Sequence, residues 1–166
     1  CMPKSLKILT IKDKNSEKLL RTKSLPVKES QFADKKFREF TDDLLYTAQH
    51  SQEQGNVEAG GISAVQVGEL VRVFYSLNYD TDQWELFINP SVEPDGFLKI
   101  TTEEGCLSIP NFTGDVTRYY KVKVRYQDIN GKWITKRYND INAVSIQHEF
   151  DHLEGVLFTD RIDKKN

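Results

Sequence analysis

The sequence predicts a single α+β domain over residues 1–166, with antiparallel strands packed around a C-terminal helix and a second helix nearer the N-terminus. Strand patterns fill the middle of the chain, a hairpin signal joins two of them, and helical periodicity lies on both sides. The length of 166 residues is about one domain and is enough to bury a substantial core.

Bulk properties exclude several classes of protein. The net charge is −2, so charge gives no reason to expect a specific nucleic-acid partner. No apolar run approaches the roughly 18 residues of a membrane span, so no membrane partner is expected. The two cysteines, Cys1 and Cys106, cannot form a disulfide framework, which favours a reducing compartment.

The N-terminal third is expected to hold one helix. Residues 6–11 are apolar and predict a strand or a packed arm, whereas residues 12–29 are polar and predict a loop. A helix is predicted from about Phe32 to Ser51, with Ser30 or Asp34 as its cap. Its apolar residues recur at helical spacing: Phe37, Phe40, Leu44 and Ala48.

Strands are expected in the middle of the chain, after an exposed loop over residues 52–58. The sequence Asn130-Gly131 is a strong signal for a two-residue hairpin turn. The segment before it alternates strictly between polar and apolar residues, as in a half-buried strand. The predicted strands are Val71–Tyr75, Trp84–Ile88 (ending at Asn89-Pro90), Lys121–Tyr126 and Lys132–Tyr138.

The last predicted helix runs from about Asn142 to Leu153 and ends near Gly155. Its core-facing stripe is Ile146, Phe150, Leu153 and Leu157. The helix carries the pattern His148-Glu149-x-x-His152. Residues four apart lie on the same face of a helix, so His148 and His152 can bind one metal ion together. Glu149 is then placed to take a proton from the attacking water.

A catalytic metal of this kind usually has a third protein ligand. The residue six positions after His152 is Phe158, which cannot bind a metal, and Glu154 and Asp160 are poorly spaced. The upstream donors are His50 and the cysteines. Cys106 lies between Gly105 and Pro110 in a stretch that allows a sharp backbone path. A thiolate with two imidazoles suits Zn²⁺ or Fe²⁺ better than Mg²⁺ or Ca²⁺.

Three short motifs resemble those of the peptide deformylases, in the same order. They are Gly61-Ile62-Ser63-Ala64-Val65-Gln66, Glu104-Gly105-Cys106-Leu107-Ser108 and Gln147-His148-Glu149-Phe150-Asp151-His152. The resemblance runs from about Leu6 to Arg161. It implies a metal-dependent hydrolase that removes the formyl group from the initiator N-formylmethionine of nascent polypeptides and releases formate.

The resemblance also implies a role for each matched residue. Cys106, His148 and His152 would bind the metal. Glu149 would be the general acid and base, and Gln66 and the backbone N–H of Leu107 would hold the oxyanion. The substrate-binding residues would be Gly61, Ile62, Glu104, Gly105, Val144 and Ser145, of which Val144 and Ser145 would lie near the methionine pocket.

One divalent ion is expected, with Fe²⁺ as the ion in the cell and Zn²⁺, Ni²⁺ or Co²⁺ as alternatives. The partners implied are N-formylmethionyl peptides and nascent chains, with a transient ribosome contact as a further option. The expected location is a bacterial-type cytoplasm, with an organelle or a phage origin as alternatives. The competing functions are a small metalloendopeptidase and a non-catalytic protein that binds formylated N-termini.

The chain departs from the family pattern at four positions. Ala59 stands where the family has a glycine, Gly60 where it has a larger residue, and Val65 where it has a small residue or proline. Thr113 stands where many members have an arginine. None of these is a predicted metal ligand or the predicted base, so they predict an altered substrate preference.

Overall fold

Five antiparallel strands form the main sheet of the computed structural model, which describes residues 2–163. The helices are α1 (Lys14–Leu20), α2 (Lys35–Gln49) and α3 (Asp140–Leu153). The strands are β1 (Gly61–Ser63), β2 (Val73–Asn78), β3 (Gln83–Pro94), β4 (Lys99–Cys106), β5 (Ile109–Tyr119), β6 (Lys121–Gln127) and β7 (Trp133–Asn139). The main sheet has the order β1-β2-β3-β6-β7, and β4 and β5 form a separate antiparallel hairpin.

Helix α3 packs between the main sheet and the β4–β5 hairpin. Ile146 and Leu153 are buried in a cluster with Phe74 and Phe87 of the main sheet. The residues that follow α3 are buried in a second cluster with β5: Leu157, Phe158, Ile109 and Val116. The predicted α+β class is therefore confirmed. No helix in the described part of the chain is long and apolar enough to cross a membrane.

The loop predicted over residues 12–29 is wrong in part, because the chain forms α1 there. Asp13 caps this helix by accepting a hydrogen bond from the Ser16 N–H at 2.9 Å. The second helix begins at Lys35 rather than Phe32, since Asp34 caps it by accepting from the Lys36 N–H at 2.9 Å. The preceding residues Glu29–Ala33 form a 3₁₀ turn.

Strand β3 extends beyond the end predicted at Asn89-Pro90. The pairing of β3 with β6 shifts between Ile88 and Ser91, and Asn89 has a φ of 50°. This irregularity lets a proline lie within the strand, because it interrupts the ladder where the proline has no N–H to donate. Strands β4 and β5 were not predicted from the sequence.

The predicted β6–β7 hairpin is present, but its turn is longer than the two residues predicted at Asn130-Gly131. The Asp128 N–H donates to the Lys132 carbonyl and the Gly131 N–H donates to the Asp128 carbonyl, each at 2.9 Å, and Gly131 has a φ of 81°. Residues 6–11 form a packed arm rather than a strand. The Leu9 N–H donates to the Gln66 carbonyl at 2.7 Å, and the Ile11 N–H donates to the Ser108 carbonyl at 3.0 Å. This arm therefore holds together the segments that carry the first and second motifs.

Candidate metal-dependent active site

Cys106, His148 and His152 converge at one point. Their donor atoms all lie within 4.8 Å of one another, and Cys106 Sγ is 3.4 Å from His152 Nε2. Cys106 comes from the end of β4, and both histidines come from α3 one helical turn apart. The hairpin and the helix together therefore build a three-donor cluster that spans 46 residues of sequence.

The cluster fits a single divalent ion. Metal–sulfur and metal–nitrogen bonds of about 2.3 and 2.0 Å in a tetrahedral site place such donors about 3.5 Å apart. The Cys106–His152 separation agrees with that value. Burial and the nearby His148 and Arg118 hold the pKa of His152 well below its usual value. A neutral imidazole is the form that binds a metal, so His152 is ready to act as a ligand.

His148 is oriented by a buried ionic network. Its Nδ1 donates to Glu104 Oε1 at 2.8 Å, which leaves Nε2 free to face the cluster. Arg118 donates to both oxygens of Glu104, at 2.6 and 3.0 Å, and to Asp151 at 2.9 Å. Arg161 also donates to Asp151, at 2.6 and 3.1 Å. Strands β4 and β5 and helix α3 are thus tied together behind the metal ligand.

The network places opposite charges on Glu104 and His148. Burial would lower the pKa of His148, but the hydrogen bonds with Cys106 and Glu104 outweigh it and raise the pKa well above the usual value. Burial would raise the pKa of Glu104, but the bonds from His148 and Arg118 outweigh it and lower that pKa. The network therefore keeps Glu104 ionised and stabilises positive charge at the position of His148.

Glu149 lies beside the cluster and is 4% exposed. Burial is the main influence on its carboxyl group and raises its pKa, whereas His148 and a hydrogen bond from Ser63 lower it. Ser63 Oγ is 3.0 Å from Glu149 Oε1 and 3.1 Å from the Glu149 carbonyl oxygen. Oε2 has no such bond and lies against Gly61, where a β-carbon would be only 2.6 Å away. This second oxygen is the one left for a proton-transfer role.

Gln66 is held by hydrogen bonds at both ends of its amide. Its oxygen accepts from the Ser63 N–H at 2.9 Å, and its Nε2 donates to Ser108 Oγ at 3.1 Å and toward Cys106 Sγ at 3.5 Å. One amide N–H therefore points to the metal cluster, and the other is held by Ser108. Leu107 follows Cys106 in the turn between β4 and β5, so its N–H is presented close by.

A cleft of about 190 Å³ opens over these groups. Most of the predicted site residues line it: Gly61, Gln66, Glu104, Gly105, Cys106, Leu107, Val144, Ser145, His148 and Glu149. His152 lies behind the wall. Ile62 does not line the cleft, because its side chain is fully buried in the core between α2 and the main sheet. Neighbouring side chains of a strand point to opposite faces, so only Gly61 and Ser63 face Glu149.

The other donors considered from the sequence do not join the cluster. His50 stacks on Tyr46 at the end of α2, with ring centroids 3.8 Å apart. Glu154 pairs with Arg72 at 2.8 Å, and Asp160 accepts from the Leu157 N–H at 3.1 Å. Cys1 lies outside the described residues.

Four residues that support or line the site were not predicted from the sequence. Arg118 gave no signal, because a buried arginine in a strand looks like any charged strand residue. Ser63 and Ser108 belong to the first and second motifs, so the sequence placed them near the site. It did not indicate that their hydroxyl groups orient Glu149 and Gln66. Tyr79 also lines the cleft, and it comes from the turn after β2.

A cysteine and two histidines that can hold one metal ion, with a glutamate beside them in the cleft, are the arrangement of a metal-dependent hydrolase. Residues 5–166 match the family model described as polypeptide deformylase. The chain belongs to the peptide deformylase family, whose members act on N-formylated nascent peptides. Neither the metalloendopeptidase nor the non-catalytic binding protein is favoured by these findings.

Individual relatives agree with this assignment. The peptide deformylase of Treponema pallidum (strain Nichols) is 40% identical over 150 residues, which cover 90% of this chain and 85% of that protein. The crystal structure of the Thermotoga maritima peptide deformylase is similar with a TM-score of 0.83 and 29% identity, and covers 96% of this chain and 99% of that one. A Met-Ala-Ser-bound class I type b peptide deformylase from Acinetobacter baumannii is similar with a TM-score of 0.84 and 26% identity. The match covers 97% of this chain and 100% of that one.

Proposed function

We propose that this chain removes the formyl group from N-formylmethionyl peptides with Cys106, His148 and His152 as metal ligands and Glu149 as the general acid and base. The convergence of the three donors within 4.8 Å, with Glu149 in the same cleft, carries the proposal. We further propose that residues 1–166 act as one catalytic domain. A bound divalent ion supplies Lewis-acid chemistry and makes water a stronger nucleophile at neutral pH.

The chain's own residues then move the proton and stabilise charge. Glu149 takes the proton of the water that attacks the formyl carbon, and later gives a proton to the departing amine nitrogen. The C–N bond breaks, and formate and a peptide with a free amino group leave. Gln66 Nε2 and the Leu107 N–H donate to the developing oxyanion, each contributing roughly 3–4 kcal/mol by analogy with other oxyanion holes.

Strand β1 is a candidate support for the peptide backbone. It pairs with β2 on one side only, so its other edge is free. The Leu77 N–H donates to the Gly60 carbonyl at 2.8 Å, so by alternation the polar groups of Gly61 point away from β2 and toward the cleft. An extended peptide bound as an added strand would lie there. The A. baumannii relative was solved with Met-Ala-Ser bound, which supports a peptide as the ligand.

The ion, the location and the ribosome contact are finer proposals. The donor set suits Fe²⁺, the ion proposed for the cell, and also Zn²⁺, Ni²⁺ and Co²⁺. Because the substrates are nascent chains, we place the protein where they are made, in a bacterial-type cytoplasm or in a phage-infected cell or organelle. A transient contact with the ribosome fits the same substrates and would be tested by co-sedimentation.

The decisive experiment is formate release from a formyl-Met peptide by protein loaded anaerobically with Fe²⁺. Glu149→Gln, which keeps the size of the side chain, should lower kcat by at least 100-fold while the bound metal content stays unchanged. Glu154→Gln is the matched control, because Glu154 pairs with Arg72 outside the cleft. Release that persists in Glu149→Gln would refute the role of Glu149. No release by the metal-loaded wild type would refute the function.

A further inference from the structure

The cleft has an unusual wall where Gly60 meets Tyr79. A β-carbon on Gly60 would collide with the Tyr79 hydroxyl group. Gly60 has no positive φ, so the backbone itself does not require glycine there. The hydroxyl end of Tyr79, which lies in the turn after β2, occupies the space that a larger residue at position 60 would fill.

Tyr79 is held firmly in this position. Its N–H donates to Asn142 Oδ1 at 2.8 Å, and Asn142 Nδ2 donates to Asn78 and Asp80, each at 3.1 Å. Asn142 belongs to α3 and is 5% exposed. The turn after β2 is therefore fixed to the start of α3, less than one helical turn before Val144 and Ser145.

Three residues with hydroxyl groups line the same cleft as Val144: Tyr79, Thr102 and Ser145. Ser145 Oγ shares a 2.8 Å hydrogen bond with Ser76 Oγ. Thr102 Oγ1 is fully buried, so its oxygen is closed off from the cleft. Tyr79 is 49% exposed, and within residues 2–163 its hydroxyl makes no hydrogen bond to a protein group. A ligand that covers the Tyr79 hydroxyl displaces its water, so a ligand group that can accept its hydrogen bond is favoured.

We propose that Tyr79 is a specificity-determining residue that favours substrates whose first side chain carries a hydrogen-bond acceptor, such as a thioether or its sulfoxide. A hydrocarbon side chain of the same length would cover the Tyr79 hydroxyl and leave it without a partner. A site that hydrogen-bonds a substrate group discriminates against the isostere that lacks that group. This inference rests on the proposed function, because it takes the pocket beside Val144 and Ser145 as the place of the first side chain.

The test compares three formylated peptides that differ only in the first residue: methionine, methionine sulfoxide and norleucine, each followed by Ala-Ser. We expect the wild type to prefer the sulfoxide over norleucine in kcat/KM. Tyr79→Phe, which removes only the hydroxyl, should reduce that preference roughly three- to tenfold, the effect of one neutral hydrogen bond. Tyr46→Phe on α2 is the control and should leave the preference unchanged.

A binding arm separates this inference from the catalytic one. The deformylated peptides are titrated calorimetrically into Zn²⁺-loaded wild type and Tyr79→Phe. A sulfoxide preference in affinity that Tyr79→Phe removes would uphold the pocket even if no formate were released, in which case only the proposed function would fail. An equal preference in the wild type and Tyr79→Phe, in rates and affinities, would overturn the role of Tyr79.

Discussion

At the scale of single residues, the position of Glu149 depends on two residues of β1: Gly61, which has no side chain, and Ser63, which donates a hydrogen bond. A β-carbon on Gly61 would lie 2.6 Å from Glu149 Oε2 and 2.9 Å from Cδ, so any larger residue would displace the carboxylate. Ser63, two residues further along the same strand face, holds the other oxygen at 3.0 Å. A strand of three residues therefore both makes room for the base and fixes its orientation.

Thr113 is exposed and borders the cleft, since its Cγ2 is 3.4 Å from the place of a β-carbon on Gly105. Thr113→Arg would bring a positive charge to this edge. We expect kcat/KM to rise a few-fold for formyl-Met peptides with an acidic residue at the second or third position, because opposite charges attract. The gain should fall in 0.5 M salt, where such attraction is screened.

A peptide panel with acidic, neutral and basic residues at those positions measures this effect. Thr113→Gln serves as the control, since it adds length without charge. Identical profiles for the wild type and Thr113→Arg would show that position 113 does not influence substrate preference.

The individual ligands could be predicted because their chemistry is local in sequence. His148 and His152 are four residues apart on one helix, so helical geometry alone brings them together. The assignment of Cys106 as a ligand required the motif resemblance, because its place in the sequence does not indicate how close it lies to α3. Tyr79 could not be predicted, because its place beside Gly60 depends on the length of the turn after β2 and on the anchor at Asn142.

At the scale of elements, Arg118 of β5 ties the β4–β5 hairpin to helix α3. It binds Glu104 on the neighbouring strand β4 and Asp151 on α3, and its side chain is 4% exposed. Burial opposes its charge, but Glu104 and Asp151 outweigh that and raise its pKa. The guanidinium thus fixes how the hairpin is set against the helix.

Arg118→Met should destabilise the protein by about 3–5 kcal/mol, because it leaves the buried carboxylate of Glu104 without its arginine and Asp151 with Arg161 alone. It should also weaken metal affinity about 10- to 100-fold, since Glu104 would no longer be held against His148. Chemical unfolding and competitive chelator titration measure the two effects. Lys123→Met, on the exposed face of β6, should change neither. Unaltered metal affinity in a destabilised Arg118→Met would limit Arg118 to a structural role.

The elements themselves were predicted with uneven success, for physical reasons. Helix α3 and the β6–β7 hairpin follow from periodicity and a turn signal, which are properties of the local chain. Hairpin β4–β5 was missed because buried Glu104 and Arg118 break the apolar alternation that identifies strands. Helix α1 was missed because its seven residues bury one side chain, Leu20, and present a polar sequence.

At the scale of the whole molecule, the metal ligands lie in two different layers. Cys106 belongs to the β4–β5 hairpin, and His148 and His152 belong to the helix that packs on the main sheet. An ion bound by all three would therefore cross-link the layers. Such an ion stabilises the folded chain by RT ln(1 + [L]/Kd), which is about 2.7 kcal/mol at an ion concentration 100 times Kd.

Removal of the metal should thus destabilise the β4–β5 hairpin more than the main sheet. We expect chelation to lower the melting temperature and to speed amide hydrogen exchange mainly in β4 and β5, since the hairpin has no main-chain ladder to the main sheet. The β2–β3 and β3–β6 ladders should exchange at nearly unchanged rates. Cys106→Ala breaks the link at the hairpin and keeps both histidines, so its β4–β5 exchange should already be fast and should respond little to metal. Equal protection of both sheets by the metal would show that the ion stabilises the chain as a whole and not through the contact between hairpin and helix.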